Sequence, residues 1–352
     1  MKRIVSLDGL RGIFCLLIVF EHYSPVYLPS IIYEFPLIRH SYIVVDFFFV
    51  LSGYILALKY WDNIIDFKSL KKFYLKRLFR LYPLVLLTSS LMFLIELITH
   101  FNFKNVKNEA IGINEIFLRY FNDIFLINSS NVLGAYAMNI PSWSISAEFF
   151  CYLLFGVYLL WFKKVKYLMH FSLLVFIIIS LYNNIGFSTF KFGYIRGIIS
   201  FLIGVILFKE EKSFNFNSRK NYQYIIIILF SISLYLLKLK IVALNSFLSI
   251  ALPFFFMLSI HNILTCKGFL TKFLNTPLIT RIGELSFSIY LNHFLVVLIL
   301  PRLVFQIFQV PNITFYQIIV FMLCPIIVIT ISKFTNKYIE VSFNNYLRQK
   351  FN

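Results

Sequence analysis

Charge is scarce in this chain of 352 residues: Asp, Glu, Lys and Arg together make up 14% of it, and only 15 residues are acidic. Soluble domains usually carry about 25% charged residues, so the composition excludes an ordinary water-soluble enzyme. Cysteine is rare as well. Cys15, Cys151, Cys266 and Cys324 stand far apart, in or beside apolar stretches, with no CxxC pair and no zinc spacing. Neither a disulfide framework nor a metal site is expected. No second soluble domain, low-complexity tail or internal repeat is visible, so residues 1–352 are read as one domain. After Lys2 and Arg3 the apolar run lacks a small-residue cleavage site and continues into charged residues, which argues against a cleavable signal peptide.

What is abundant is apolar surface. The chain is 60% hydrophobic and 20% aromatic, with a mean hydropathy of +0.81. That is the composition of an all-α, polytopic membrane protein. Ten spanning helices are expected, roughly at 7–27, 41–59, 81–99, 146–162, 168–184, 194–208, 222–239, 242–262, 285–306 and 314–333. The net charge of +18 is not a nucleic-acid signal, because Lys and Arg concentrate in alternate connecting segments. Segments 59–80, 163–166, 209–220, 267–281 and 333–350 carry most of the excess, which places them, and both termini, on the cytoplasmic side. Lys238 and Lys240 in a short outer turn run against that trend. The stretch Ile116 to Ile127, broken by Arg119 and Asp123, is too short to span and reads as interfacial or re-entrant.

The first apolar segment holds the sharpest anomaly. Arg11, Glu21 and His22 sit inside it, and ionisable groups at membrane depth usually face a bundle interior or a wet cavity. Arg11 and His22 are eleven positions apart, which on a helix is about three turns plus 20° and a rise of about 16–17 Å. One face therefore presents a cation nearer one surface and an imidazole deeper in, which suits a tunnel for a long anionic molecule. A snorkelling anchor and a packing histidine are the alternative reading.

Other polar groups recur at membrane depth. Asp46 precedes an aromatic run that ends in Ser52-Gly53. Arg77 and Arg80, three apart, point the same way on a helix and could grip phosphates or anchor in anionic lipid. Pro141-Ser142-Trp143-Ser144 opens the fourth segment, with Ser142 or Ser144 as its cap, and brings Glu148 just inside the membrane. Arg196 lies near the start of the sixth segment, where Glu148 or Asp46 could pair with it. Ser286, Tyr290 and His293 fall near one helical face. His40, His100, His170 and His261 sit at segment ends and read as interfacial.

Asp8-Gly9-Leu10-Arg11-Gly12 followed by His22 resembles the opening of the membrane acyltransferase-3 family. The likeness continues through the Asp46–Gly53 block, the paired arginines, the Trp143-Ser144 motif and the Tyr290-Leu291-x-His293 block, so it covers nearly the whole chain. It departs in one place: Ala147 precedes Glu148 where the commoner form has paired acids, which puts a second acid in doubt. The resemblance implies a bacterial inner-membrane O-acetyltransferase acting on a surface polysaccharide or lipid-linked glycan, alongside polysaccharide assembly machinery. Acetyl-CoA would be the donor substrate, with no permanently bound cofactor and no metal.

On that footing His22 is the expected base, Glu148 is preferred over Glu21 as its orienting carboxylate, and Arg11 contacts the CoA arm or the thioester oxygen. Glu21 would point about 100° away from His22 on a continuous helix. Arg77 and Arg80 would hold the nucleotide end in the cytosol, and Asp8, Asp46, Ser52, Trp143, Ser144, Arg196, Tyr290 and His293 would line the site. A transporter or flippase for a glycan or an anionic substrate is the rival of a different class, although the paired broken helices common in transporters are not found.

Overall fold

The computed structural model describes residues 4–102, 112–165, 167–211, 222–343 and 345. Lys2, Arg3, Lys166, Lys212, Arg219, Lys220, Arg348, Lys350 and the polar segment 103–111 lie outside the described residues. The described chain is helical, without strands. In order, the principal helices are α1 (Val5–Glu21), α2 (Val45–Tyr60), α3 (Phe67–Asn102), α4 (Ile113–Ile124), α5 (Trp143–Val157), α6 (Leu168–Tyr182) and α7 (Gly193–Glu210). After these come α8 (Tyr222–Lys238), α9 (Val242–Thr265), α10 (Phe269–Leu274), α11 (Pro277–Glu284), α12 (Ser286–Arg302) and α13 (Thr314–Thr335).

Each of the ten expected segments coincides with a helix, but their dimensions differ. Among the described residues six helical segments are long and apolar enough to cross a membrane: Ser41–Tyr60, Phe67–Phe101, Ile140–Phe162, Val242–Thr265, Ser286–Ile307 and Thr314–Val341. α6 and α8 are shorter apolar helices, while α1 and α7 include charged residues. α1 stops at Glu21, six residues before the expected end, and the chain continues as a 3-10 turn at Pro25–Tyr27.

α3 begins fourteen residues before the expected span. Its start is written locally: the Ser69 backbone N–H donates to the Asp66 carboxylate (2.7 Å), and the Asp66 N–H donates to the Ser69 hydroxyl (3.1 Å). This reciprocal cap satisfies two of the orphan donors of the first turn. At 36 residues the helix is about 54 Å long, well beyond the ~30 Å hydrocarbon core. The basic stretch read as a connecting segment is therefore largely helix. The stretch expected to be interfacial or re-entrant forms a short helix, α4, which lies against α3 through stacked Phe93 and Tyr120 rings, centroids 4.5 Å apart.

α7 is the hub: α2, α5, α6 and α9 all pack on it. α2 approaches so closely that a Cβ on Gly204 would collide with the Val50 carbonyl oxygen, which is how small residues allow intimate helix contact in a bilayer. A second close approach joins α1 to the short α11, where a Cβ on Gly283 would collide with the Asp8 carbonyl oxygen. α12 packs against α1 and α13. Large buried rings, including Phe47, Phe73, Tyr152 and Phe256, fill the centre.

Candidate active site

Five helices, α1, α2, α3, α5 and α12, surround a cleft with about 770 Å³ of empty space. Its wall is mostly apolar, built by side chains such as Phe48, Phe49, Leu51, Ile55 and Phe287. Into it project Arg11 from α1, Ser52 from α2, Arg80 from α3, Ser144 and Glu148 from α5, and Tyr290 from α12. A polar cluster facing an apolar cleft at membrane depth is what a reaction site needs, because low dielectric strengthens each charge interaction.

Glu148 is held on one oxygen. Ser52 Oγ donates to Oε1 at 2.7 Å, and the Tyr152 hydroxyl donates to the same atom. The carboxylate lies within electrostatic reach of both Arg11 and Arg80. Arg11 Nη1 also donates to Asp8 Oδ1 at 3.3 Å, the i, i+3 geometry of one helix face. Asp8 itself is not among the residues lining the cleft.

The paired arginines divide. Arg80 lines the cleft. Arg77 is buried, donates from Nη2 to the Tyr60 hydroxyl (3.0 Å) and lies over the Tyr60 and Tyr152 rings. Spacing of three does point both the same way, but Arg77 has protein partners and Arg80 faces the cleft.

Glu21, not Glu148, stands beside His22. Glu21 Oε2 is 2.8 Å from His22 Nδ1, and the Ile18 carbonyl oxygen is 3.0 Å from the same nitrogen. The divergence of about 100° expected between neighbours holds inside a helix. His22 caps α1 with αR backbone and its N–H still bonded to the Ile18 carbonyl, so the divergence persists and the two side chains close it through their rotamers. The Ile18 carbonyl, which can only accept, assigns the proton to Nδ1, with Glu21 beside it at ion-pair distance, and Nε2 keeps a lone pair. His22 is not in the cleft wall, but it adjoins it. The His22 and His293 rings are 5.0 Å apart, and the His293 and Tyr290 rings 5.6 Å. His293 Nδ1 donates to the Tyr290 carbonyl oxygen at 2.5 Å, and its Nε2 is buried without a hydrogen-bond partner.

Asp46 and Arg196 form a buried pair outside the cleft wall. Arg196 donates from Nε and Nη2 to both Asp46 oxygens at 2.9–3.2 Å, and to the carbonyls of Phe187 and Tyr42. Ser200 donates to Asp46 as well, at 3.1 Å. Trp143 lies under the Arg196 guanidinium, 5.3 Å from ring centroid to Cζ. These three residues join α2, α5 and α7 rather than line the cleft. Ser142 is the N-cap residue of α5, but its side chain makes no capping bond and donates to Asp123 instead. Ser144 Oγ donates to the Tyr290 hydroxyl (2.7 Å), and that hydroxyl donates to the Pro141 carbonyl (2.9 Å). Tyr152 and Tyr60 escaped sequence reasoning; the i, i+4 spacing of Tyr152 from Glu148 is a signal that could have found it, while nothing local joins Tyr60 to Arg77 on another helix. His40 and His261 are buried rather than surface-lying.

A family model described as "Acyltransferase domain" matches residues 4–332. Two curated proteins are similar to this chain. "Protein 2 in picA locus" of Rhizobium radiobacter is 38% identical over 92 residues, which is 26% of this chain and 44% of that protein. "Peptidoglycan O-acetyltransferase OatA" of Listeria monocytogenes is 27% identical over 170 residues, 46% of this chain and 25% of that protein. The chain thus spans less than half the length of the curated relatives it matches. No solved structure matches it.

Proposed function

Because this chain belongs to the acyltransferase-3 family, a family of multi-pass membrane enzymes, we infer that it moves an acyl group from a cytosolic thioester to a glycan hydroxyl. Residues 1–352 act as one transmembrane domain of about ten helices in a bacterial inner membrane, with both ends of the chain at the cytoplasmic face. The observation that carries this reading is the cleft where Arg11, Arg80 and Glu148 converge from three helices.

The donor is acyl-CoA, acetyl-CoA by the family's habit, entering from the cytoplasm. Arg80 meets its phosphates in a bidentate grip. Arg77 holds Tyr60 and Tyr152 in place beside it. Arg11 lies further along the arm, near the thioester oxygen. The acceptor, a surface polysaccharide or lipid-linked glycan, arrives from the outer side, where its assembly machinery would deliver it. Its hydroxyl gives a proton to His22 Nε2 while the oxygen attacks the thioester carbonyl carbon. The C–S bond breaks, and the imidazolium returns the proton to the departing thiolate. Glu21 and the Ile18 carbonyl hold Nδ1–H and stabilise the imidazolium. Glu148, anchored by Ser52 and Tyr152, sets the field felt by both arginines.

Purified protein in lipid nanodiscs, radiolabelled acetyl-CoA and de-O-acetylated peptidoglycan fragments test this. Transfer of label to the fragments is expected, and His22→Ala abolishes it at unchanged protein level and membrane insertion. Normal transfer by a stably inserted His22→Ala protein removes the reading.

A further inference from the structure

The buried acid that the reaction does not use is Asp123, at the end of α4. It is fully buried, and its carboxylate is the acceptor for five donors from four directions. Oδ1 takes Asn128 Nδ2 (2.8 Å), Ser142 Oγ (3.0 Å) and the Met138 N–H (3.3 Å). Oδ2 takes Ser89 Oγ from α3 (2.6 Å) and the Asn139 N–H (2.9 Å). Asn139 extends the network, donating from Nδ2 to Thr88 Oγ1 (3.2 Å) and to the Leu291 carbonyl in α12 (3.0 Å).

What this carboxylate holds is the strap from 138 to 142. The last turn of that strap carries Pro141, whose carbonyl accepts from the Tyr290 hydroxyl (2.9 Å), which in turn accepts from Ser144 Oγ (2.7 Å). Tyr290 and Ser144 line the cleft from α12 and α5, whereas Arg80 enters it from α3. Hydrogen bonds and the short backbone from Asn139 to Pro141 therefore link the buried Asp123 carboxylate to two polar groups of the cleft wall. Bonds to a charged acceptor are about twice as strong as neutral ones, so the three from Met138, Asn139 and Ser142 hold the strap, while Ser89 and Asn128 hold the carboxylate itself.

We propose that Asp123 is a positioning residue for the acceptor: it sets the strap whose Pro141 carbonyl orients Tyr290 and Ser144 toward the incoming sugar hydroxyl. The proposal rests on the acyl-transfer reading given above for its consequence, but not for its geometry. The donor end, built by Arg80 and Glu148 on α3 and α5, shares none of these bonds. Loss of the carboxylate should therefore raise the acceptor KM and leave the donor KM alone.

The test has two arms. Amide hydrogen exchange on the full-length protein in nanodiscs compares the wild type with Asp123→Asn, and with Ser142→Ala, which removes one bond and keeps the charge in case the first variant does not fold. Faster exchange over 138–144, with α2 and α7 as protected as before, is expected; unchanged exchange overturns the proposal. Steady-state transfer from acetyl-CoA to de-O-acetylated peptidoglycan fragments is the second arm. An acceptor KM raised about tenfold, as loss of a charge-assisted bond implies, with donor KM within about twofold supports it. Equal changes in both constants, or none, reduce Asp123 to a fold residue and overturn it. If wild-type protein transfers no label, the functional reading fails, and the exchange arm still decides whether Asp123 holds the strap.

Discussion

Glu21 places a carboxylate oxygen 2.8 Å from Nδ1 of His22, at the point where α1 stops being helical. His22 keeps the αR backbone and the N–H bond to the Ile18 carbonyl, so these adjacent residues meet by bending their side chains together at the end of the helix. The pair commits Nδ1 and leaves Nε2 for chemistry.

Glu21→Gln should keep a hydrogen-bond partner for Nδ1 and remove the charge. The expected outcome is a fall in kcat of about tenfold to a hundredfold, less than the total loss in His22→Ala, since a positioned general base is worth about 10²–10⁴-fold. Single-turnover transfer rates with labelled acetyl-CoA measure it, and a wild-type rate in Glu21→Gln would return Glu21 to a packing role.

Arg77→Ala and Arg80→Ala should part company. Arg80 faces the cleft, so its loss raises the donor KM by about tenfold or more, the worth of a bond to a charged group. Arg77 is buried against Tyr60, so its loss lowers thermal stability first. Donor titrations beside melting curves in detergent separate the two, and identical behaviour would mean one shared role.

Asp46 and Arg196 should behave as a mutually dependent pair. Asp46→Ala strands a buried guanidinium, and Arg196→Ala strands a buried carboxylate; each is expected to cost about 3–5 kcal/mol. The double variant should cost less than the sum. Unfolding free energies in a double-mutant cycle measure the coupling, and simple additivity would deny it.

Gly204→Ala should force α2 from α7, because the new Cβ meets the Val50 carbonyl and not a flexible side chain. Overpacking of this kind costs about 1–3 kcal/mol. Reduced folded yield and a lower melting temperature are expected, against little effect from Gly112→Ala, where nothing lies within 4 Å.

Helices were legible because a bilayer demands long apolar stretches, and each stretch reports its own length. Arg11, Ser52, Arg80, Ser144, Glu148 and Tyr290 were singled out because polar groups are anomalous in such stretches, and the structure places all six around one cleft. Partnerships across the chain were less legible. Nothing local says that Arg196 chooses Asp46 over Glu148, since the choice depends on which helix α7 packs against. A helical-wheel argument separates Glu21 from His22 by backbone direction alone and misses that two flexible side chains at a helix end can bend together. The cap at Asp66 and Ser69 was readable as an acid three residues before a serine; the expected boundary followed hydropathy instead and put the start of α3 too late. Asp123 was read as an interruption of an apolar run, because a network closed by residues 89, 128, 139 and 142 leaves no periodic trace.

The close contact between Asp8 and Gly283 pins the N-terminal turn of α1 to α11, and the rod then runs without interruption to Glu21. It works as a gauge of fixed length between the guanidinium at one end and the imidazole at the other. One residue inserted between Cys15 and Phe20 would lengthen that gauge by only about 1.5 Å but swing the far end through about 100°. His22 would then turn from His293, so the interval from Arg11 tolerates substitution far better than insertion.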